Sequence, residues 1–167
     1  LALAETLDSL SPGGVKIKWP NDVLLGGRKV AGILTELSAE RDKINHVIIG
    51  VGINVNHGVG HFPDDLKDSA TSVRRFLKRK VSRVELLQSF MLQFEREYAL
   101  YRKSRLAKGH ARLRKFSSLL GQTVTVQAAN HRITGTARDI DAKGRLILDT
   151  HTGQVPITAG EVTILKK

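Results

Sequence analysis

The residues whose types and spacing could do chemistry crowd into one short stretch: Lys16-Ile17-Lys18-Trp19-Pro20-Asn21-Asp22, followed by Arg28-Lys29-Val30-Ala31-Gly32. A strand broken by Pro20, with an amide, a carboxylate and lysines around the break, suits a ligand that has both anionic and hydrogen-bonding parts, such as a nucleotide. The same residues also read as a polar turn closing a hairpin, with Trp19 as core, and their chemistry alone leaves both readings open. Other constellations are weaker. His57 and His61 stand four apart, but in a Gly-rich loop and not on a helix face that would aim both at one metal. Gly50-x-Gly52 lacks the third glycine and the following helix of a dinucleotide fingerprint, and no Gly-x-x-x-x-Gly-Lys-Ser/Thr loop occurs to cradle phosphates. The absence of cysteine excludes disulfides, thiol nucleophiles and zinc–thiolate sites, and fits a reducing compartment.

The elements that must position these residues follow from periodicity. Val15 to Trp19 reads as a strand ending at Pro20, whose ring cannot donate to a ladder. Val23–Leu25 and Lys29–Leu37 flank Gly26-Gly27, a dipeptide suited to a tight hairpin. His46–Val55 is a third β-rich run, apolar enough to be buried in part on both faces, and Asn56–Asp68 is a surface loop. Ser72–Lys80 reads as a short helix. Ser82 with Glu85 forms a capping box, behind which Leu87, Phe90, Met91, Phe94, Tyr98 and Tyr101 recur every three or four residues, a stripe expected to be core. A further basic helix is expected over Ala107–Leu120, stopping at Gly121. Five short alternating segments then follow: Thr123–Ala128, Arg132–Ile140, Arg145–Thr150, Gln154–Thr158 and Val162–Leu165. Turns at Ala129-Asn130-His131, Asp141–Gly144 and His151–Gly153 separate them, a pattern that suggests a small closed barrel. The expected domain boundary is Leu120–Gly121.

At 167 residues and 41% apolar content the chain suits one medium domain, or one domain with a small appendage. No apolar run approaches a membrane span and no signal peptide opens the chain, so it reads as cytoplasmic. It begins at Leu1 inside an apolar-periodic segment, as a portion of a longer protein would. The net charge of +11 is unevenly placed: residues 74–115 carry fourteen lysines and arginines against three glutamates. Such a stretch is either a solvated helix face or a patch that attracts an acidic partner.

Three linked motifs carry a resemblance: Lys18-Trp19-Pro20-Asn21-Asp22, Lys29-Val30-Ala31-Gly32-Ile33-Leu34-x-Glu36, and Ile49-Gly50-Val51-Gly52-Ile53-Asn54. In order and spacing the chain resembles biotin protein ligases over essentially its whole length. That resemblance implies an α+β fold: a partial class II-synthetase-like mixed sheet with helices over residues 1–120, then a small SH3-like β-barrel over residues 121–167. It implies ATP and biotin as substrates, Mg²⁺, and a two-step reaction through biotinyl-5′-AMP to a lysine on the biotin-carrier domain of a carboxylase. Lys29 matches the family's catalytic lysine, and Asp22 should lie near the reacting centre, holding metal or taking the acceptor's proton. Asn21, Lys18 and Asn54 should serve the nucleotide, and Lys29, Gly32, Leu34 and Gly50 the biotin. Trp19 is left as pocket wall or core, with core favoured. The basic helices, around Arg74, Arg75 and Arg79, offer a surface to an acidic carrier domain, and a homodimer is one candidate assembly.

Departures from the family pattern matter too. The glycine- and arginine-rich loop that orders over biotin has no counterpart here, nor do the strands expected around the ureido ring, so the activity is assigned to the parent protein. The winged helix-turn-helix of some bacterial members has no match either, so no DNA-binding domain is expected in this chain. Among rivals, a nucleic-acid-binding module would need a stacking platform, yet residues 121–167 contain no Phe, Tyr or Trp. A non-catalytic scaffold would have no reason to keep Lys29, Asn21 and Asp22, and Lys18-to-Asp22 favours biotin over lipoate.

Overall fold

Helix α1, Ala2–Leu10, forms because Leu3 and Leu7 lie one turn apart on a single face and bury together with Ala2 and Ala4. It stops at Ser11-Pro12-Gly13, where the Gly13 amide donates to the Asp8 carboxylate. A four-stranded sheet follows, β1 (Val15–Lys18), β2 (Asp22–Leu25), β3 (Arg28–Glu40) and β4 (Lys43–Ile53), paired antiparallel in that order. The computed structural model describes residues 1–40, 43–128 and 131–165. Gly26 and Gly27 both sit at positive φ, the requirement of a two-residue hairpin turn between β2 and β3. A Cβ on Gly26 would also meet the Phe76 ring at 2.6 Å, so a larger residue there would be strained and would have to displace that ring.

After β4 the chain passes through two 3₁₀ turns, Val59–His61 and Asp64–Leu66, into α2 (Val73–Leu77). Ser72 caps α2 by accepting from the Arg75 amide, and Lys78, in a left-handed conformation, ends it. The long α3, Arg83–Ser104, starts at Ser82, which accepts from the Glu85 amide. The shorter α4 covers His110–Phe116. Both α2 and α4 are shorter than their periodicity predicts, because Lys78 and Ser117 break the helical backbone first. A second sheet holds β5 (Thr123–Ala128), β6 (His131–Ile140), β7 (Leu146–Thr150), β8 (Gly153–Ile157) and β9 (Glu161–Ile164), in the order β8-β7-β6-β5-β9. Of the expected turn at Ala129-Asn130-His131, the first two residues lie outside the described residues, and His131 opens β6 instead. The α+β organisation is thus the one found.

Two apolar clusters hold these parts. The first joins α1, β1, β2, the start of β3, Val73 and Leu86; the second joins Leu119 to inward residues of all five later strands, among them Val124, Ala137, Leu148, Ile157 and Val162. Trp19 belongs to the second cluster, although its neighbours in sequence belong to the first sheet.

Two burial expectations are corrected. The stripe of α3 is not core: Leu87, Met91, Tyr98 and Tyr101 are exposed, and of that row only Phe90 packs against the first cluster. The helix docks on α1 along the neighbouring row instead, where Leu86 is buried and Gln93 and Glu97 lie inside a polar network. There Arg112 of α4 bonds both Glu5 of α1 and Glu97, reaching Glu97 at 2.8 and 3.0 Å, while Gln93 donates to Glu5. Polar side chains that periodicity places outside are partly covered here, because each is paired with another. The run His46–Val55 is likewise buried only toward its end, through Val51, Ile53 and Val55, whereas Val47, Ile48 and Ile49 are exposed. Those residues lie where β3 and β4 extend past the first cluster.

The network predicts that Arg112→Ala, which strands two partly buried carboxylates, lowers unfolding free energy by about 1–3 kcal/mol in chemical denaturation. Arg138→Ala, which removes an exposed pair at 4.0 Å, should change it by less than about 0.5 kcal/mol. Equal effects would mean that the helices are not held by this network.

Candidate active site

The site is built on one face of the first sheet by an irregularity in it. Asp22 pairs with Gly32 and Val23 with Ala31, but Leu24 pairs with Lys29, which leaves Val30 as an extra residue in β3. Strict alternation from Gly32 would turn Lys29 toward the core. The bulge restores it to the face shared by Asp22 and Gly32, while Val30 and Ala31 both bury. Parallel bridging from the loop fixes the Lys29 backbone: its amide donates to the Ser69 carbonyl at 2.8 Å and its carbonyl accepts from the Thr71 amide at 2.9 Å.

On that face the Lys29 Nζ meets the Asp22 carboxylate at 2.6 Å, with the lysine side chain half exposed and Asp22 largely covered. Gly32 is what lets them meet. A Cβ there would lie 3.3 Å from the Lys29 Cε, 3.4 Å from its Nζ and 3.7 Å from the Asp22 carboxylate. Lys18 pairs in register with Asp22, and Leu34 with Gly50, so these residues continue the same face outward. Leu34 presents an exposed apolar side chain opposite a strand position without one. Asn21 is pinned beside them: its carbonyl accepts from the Ile33 amide at 2.9 Å and its side-chain amide donates to the Ile33 carbonyl at 3.1 Å.

Asn54 reaches the cluster through its backbone, bonding Val30 on one side and Val73 on the other. No recorded contact joins its side chain to Lys29 or Asp22. Trp19 lines no wall of this face; it is buried in the second cluster and donates Nε1–H to the Gly144 carbonyl at 2.9 Å. Sequence reasoning missed Asn56, whose side chain bonds both the amide and the carbonyl of Val81 and so closes the loop over residues 57–80. An asparagine directly before a Gly-rich loop was the available signal. His57 is partly covered, with a buried Nδ1 that has no hydrogen-bond partner among the described residues.

Two family descriptions match: the biotin/lipoate A/B protein ligase family over residues 1–54, and the biotin protein ligase C terminal domain over residues 119–165. The chain belongs to the biotin protein ligase family. It is 34% identical over 164 residues to the bifunctional ligase/repressor BirA of Bacillus subtilis, covering 98% of this chain and 50% of that protein. It is 32% identical to the biotin–[acetyl-CoA-carboxylase] ligase of Mycobacterium tuberculosis, covering 96% of this chain and 57% of that one. The chain therefore spans about half the length of the curated relatives it matches. Among solved structures, the biotin protein ligase of Aquifex aeolicus in complex with biotin and ATP superposes with a TM-score of 0.84 at 26% identity, over 99% of this chain and 68% of that chain. Within this biotin protein ligase fold, the bulge and the glycine face are the features that gather the motif residues.

Because Lys29 is half exposed, its pair with Asp22 contributes little to folding. Lys29→Ala should leave the unfolding free energy of the biotin ligase chain within about 1 kcal/mol of wild type in urea titration. A larger loss would assign Lys29 a structural role.

Proposed function

We propose that this chain supplies the adenylating face of a biotin protein ligase, residues 1–120 forming the C-terminal portion of the catalytic domain and residues 121–167 a second domain. The observation that carries the reading is Lys29 meeting Asp22 at 2.6 Å over a sheet position kept bare by Gly32. The ligand-bound neighbour, whose solved complex contains biotin and ATP, supports the substrates.

In the first step the biotin carboxylate attacks the α-phosphate of ATP and pyrophosphate leaves. Two anions approach, so the barrier falls where a fixed cation faces them, and Lys29 would supply it from a backbone whose amide and carbonyl both bond the loop at Ser69 and Thr71. Asn21 and Lys18 would contact the nucleotide, with Asn54 on the same side. Leu34 and the bare Gly32 and Gly50 offer an apolar floor for biotin's aliphatic chain. In the second step the amine of a carrier-domain lysine attacks the acyl carbon, AMP leaves, and Asp22 would take the amine's proton once substrates separate it from Lys29. Among the described residues no three His, Cys, Asp or Glu side chains gather. Asp22 would be the protein ligand of Mg²⁺, which would neutralise phosphate charge when bound. No helix of the described residues is long and apolar enough to cross a membrane, and we assign the reaction to the cytoplasm, which supplies the ATP.

The acceptor we propose is the biotin-carrier domain of a carboxylase, approached through a cleft of about 700 Å³ lined by Arg28, Arg74, Arg75 and Lys78. No acidic side chain lines this cleft, and its walls include Thr71, the residue bonded to Lys29.

Two measurements test these readings. Binding of a non-hydrolysable biotinyl-AMP analogue at 100 times its dissociation constant should stabilise the chain by roughly 2.7 kcal/mol in thermal unfolding. Lys29→Ala should reduce that shift; no shift in the folded wild type would overturn the site. In the full-length ligase, reversing the exposed Arg74 and Arg79 to Glu should weaken carrier biotinylation about tenfold at low salt while sparing adenylate formation. Equal losses in both steps would remove the docking assignment.

A further inference from the structure

Trp19 stands three residues before Asp22, yet it is buried in the core of the other domain. Its Nε1–H donates to the Gly144 carbonyl in the turn between β6 and β7. That turn is built to hold the carbonyl still. One Asp141 carboxylate oxygen accepts from the Lys143 and Arg145 amides, each at 2.9 Å, and the other accepts from the Arg145 guanidinium at 2.7 Å. The Asp141 backbone closes the turn by accepting from the Gly144 amide and donating to the Arg145 carbonyl. Gly144 sits at φ +81°, a conformation that L side chains rarely adopt.

The loop over residues 19–22 is thus tied at both ends. Asn21 and Asp22 are bonded into the first sheet through Ile33 and Gly32, and Trp19 is bonded into the second domain. We propose that the second domain positions Asn21 and Asp22 through Trp19, with Asp141 as the positioning residue that fixes the Gly144 carbonyl. The catalytic half of this inference rests on the ligase reading above; the positional half does not.

A plain core-filling role for Trp19 is separable from this one. The domains are joined elsewhere by Arg114 with Asp139 at 2.9 Å and by His110 with the Ile140 carbonyl. Loosening the Trp19 bond therefore need not detach the second domain. Removing the donor leaves a part-buried acceptor unpaired and lets the loop shift.

The sequence has one tryptophan, so a single indole N–H resonance reports the bond. In the chain, Asp141→Ala should shift that resonance together with the amides of Asn21 and Asp22, while Asp141→Asn, which keeps an acceptor for the turn amides, should restore most of both. An unmoved indole, or a moved indole with Asn21 and Asp22 unchanged, overturns the proposal. In the full-length ligase, Asp141→Ala and Trp19→Phe should each lower kcat for biotinyl-AMP formation about tenfold with KM for biotin held, and the double variant should be no slower than the slower single one. Additive losses, or losses explained by a fallen unfolding midpoint, also overturn it. If wild type forms no adenylate while the resonances move together, the ligase reading fails and the positioning stands.

Discussion

One extra residue in a strand organises this site. Without Val30 as a bulge, the register between β2 and β3 would carry Lys29 into the first cluster, where a lysine without a partner is costly to bury. With it, Val30 and Ala31 both fill the core and Lys29 emerges beside Asp22. The loop after β4 secures the arrangement by bonding the Lys29 backbone on the edge that β2 leaves open. The same backbone hydrogen bonds serve folding and positioning, which makes the cation rigid at no separate conformational cost.

The two apolar clusters are joined by one side chain: a tryptophan from the motif loop after β1 completes the cluster formed by the second sheet. A buried indole N–H needs an acceptor, and the Gly144 carbonyl, held by the turn that presents it, supplies one. The motif loop inherits that constraint. The helices are arranged by a second polar device, Arg112 between Glu5 and Glu97, which holds α1, α3 and α4 together through charge rather than through the apolar stripe of α3.

Local patterning carried the strand positions, the Gly26-Gly27 hairpin and the helix caps, because these are set by residues adjacent in sequence. Lys29, Asp22, Asn21 and Gly32 were legible as a group because family motifs preserve order and spacing. The exposed stripe of α3 was not legible. Periodicity says that a row is apolar, but only the neighbours available to pack against decide whether it is covered. Nor could alternation reveal where Lys29 points, since a single inserted residue reverses the faces.

By itself, then, the sequence determined the element order, the change from helical to short alternating segments near residue 120, and the membership of the motif cluster. Tertiary structure alone decided that the bulge aims Lys29 at Asp22, that Gly32 leaves them room, and that Trp19 belongs to the distant core closed by Asp141 and Gly144. The reason is range. Propensity, capping and turn chemistry act within a few residues, whereas register across strands and a contact between residues 19 and 144 exist only once the sheets have formed and packed.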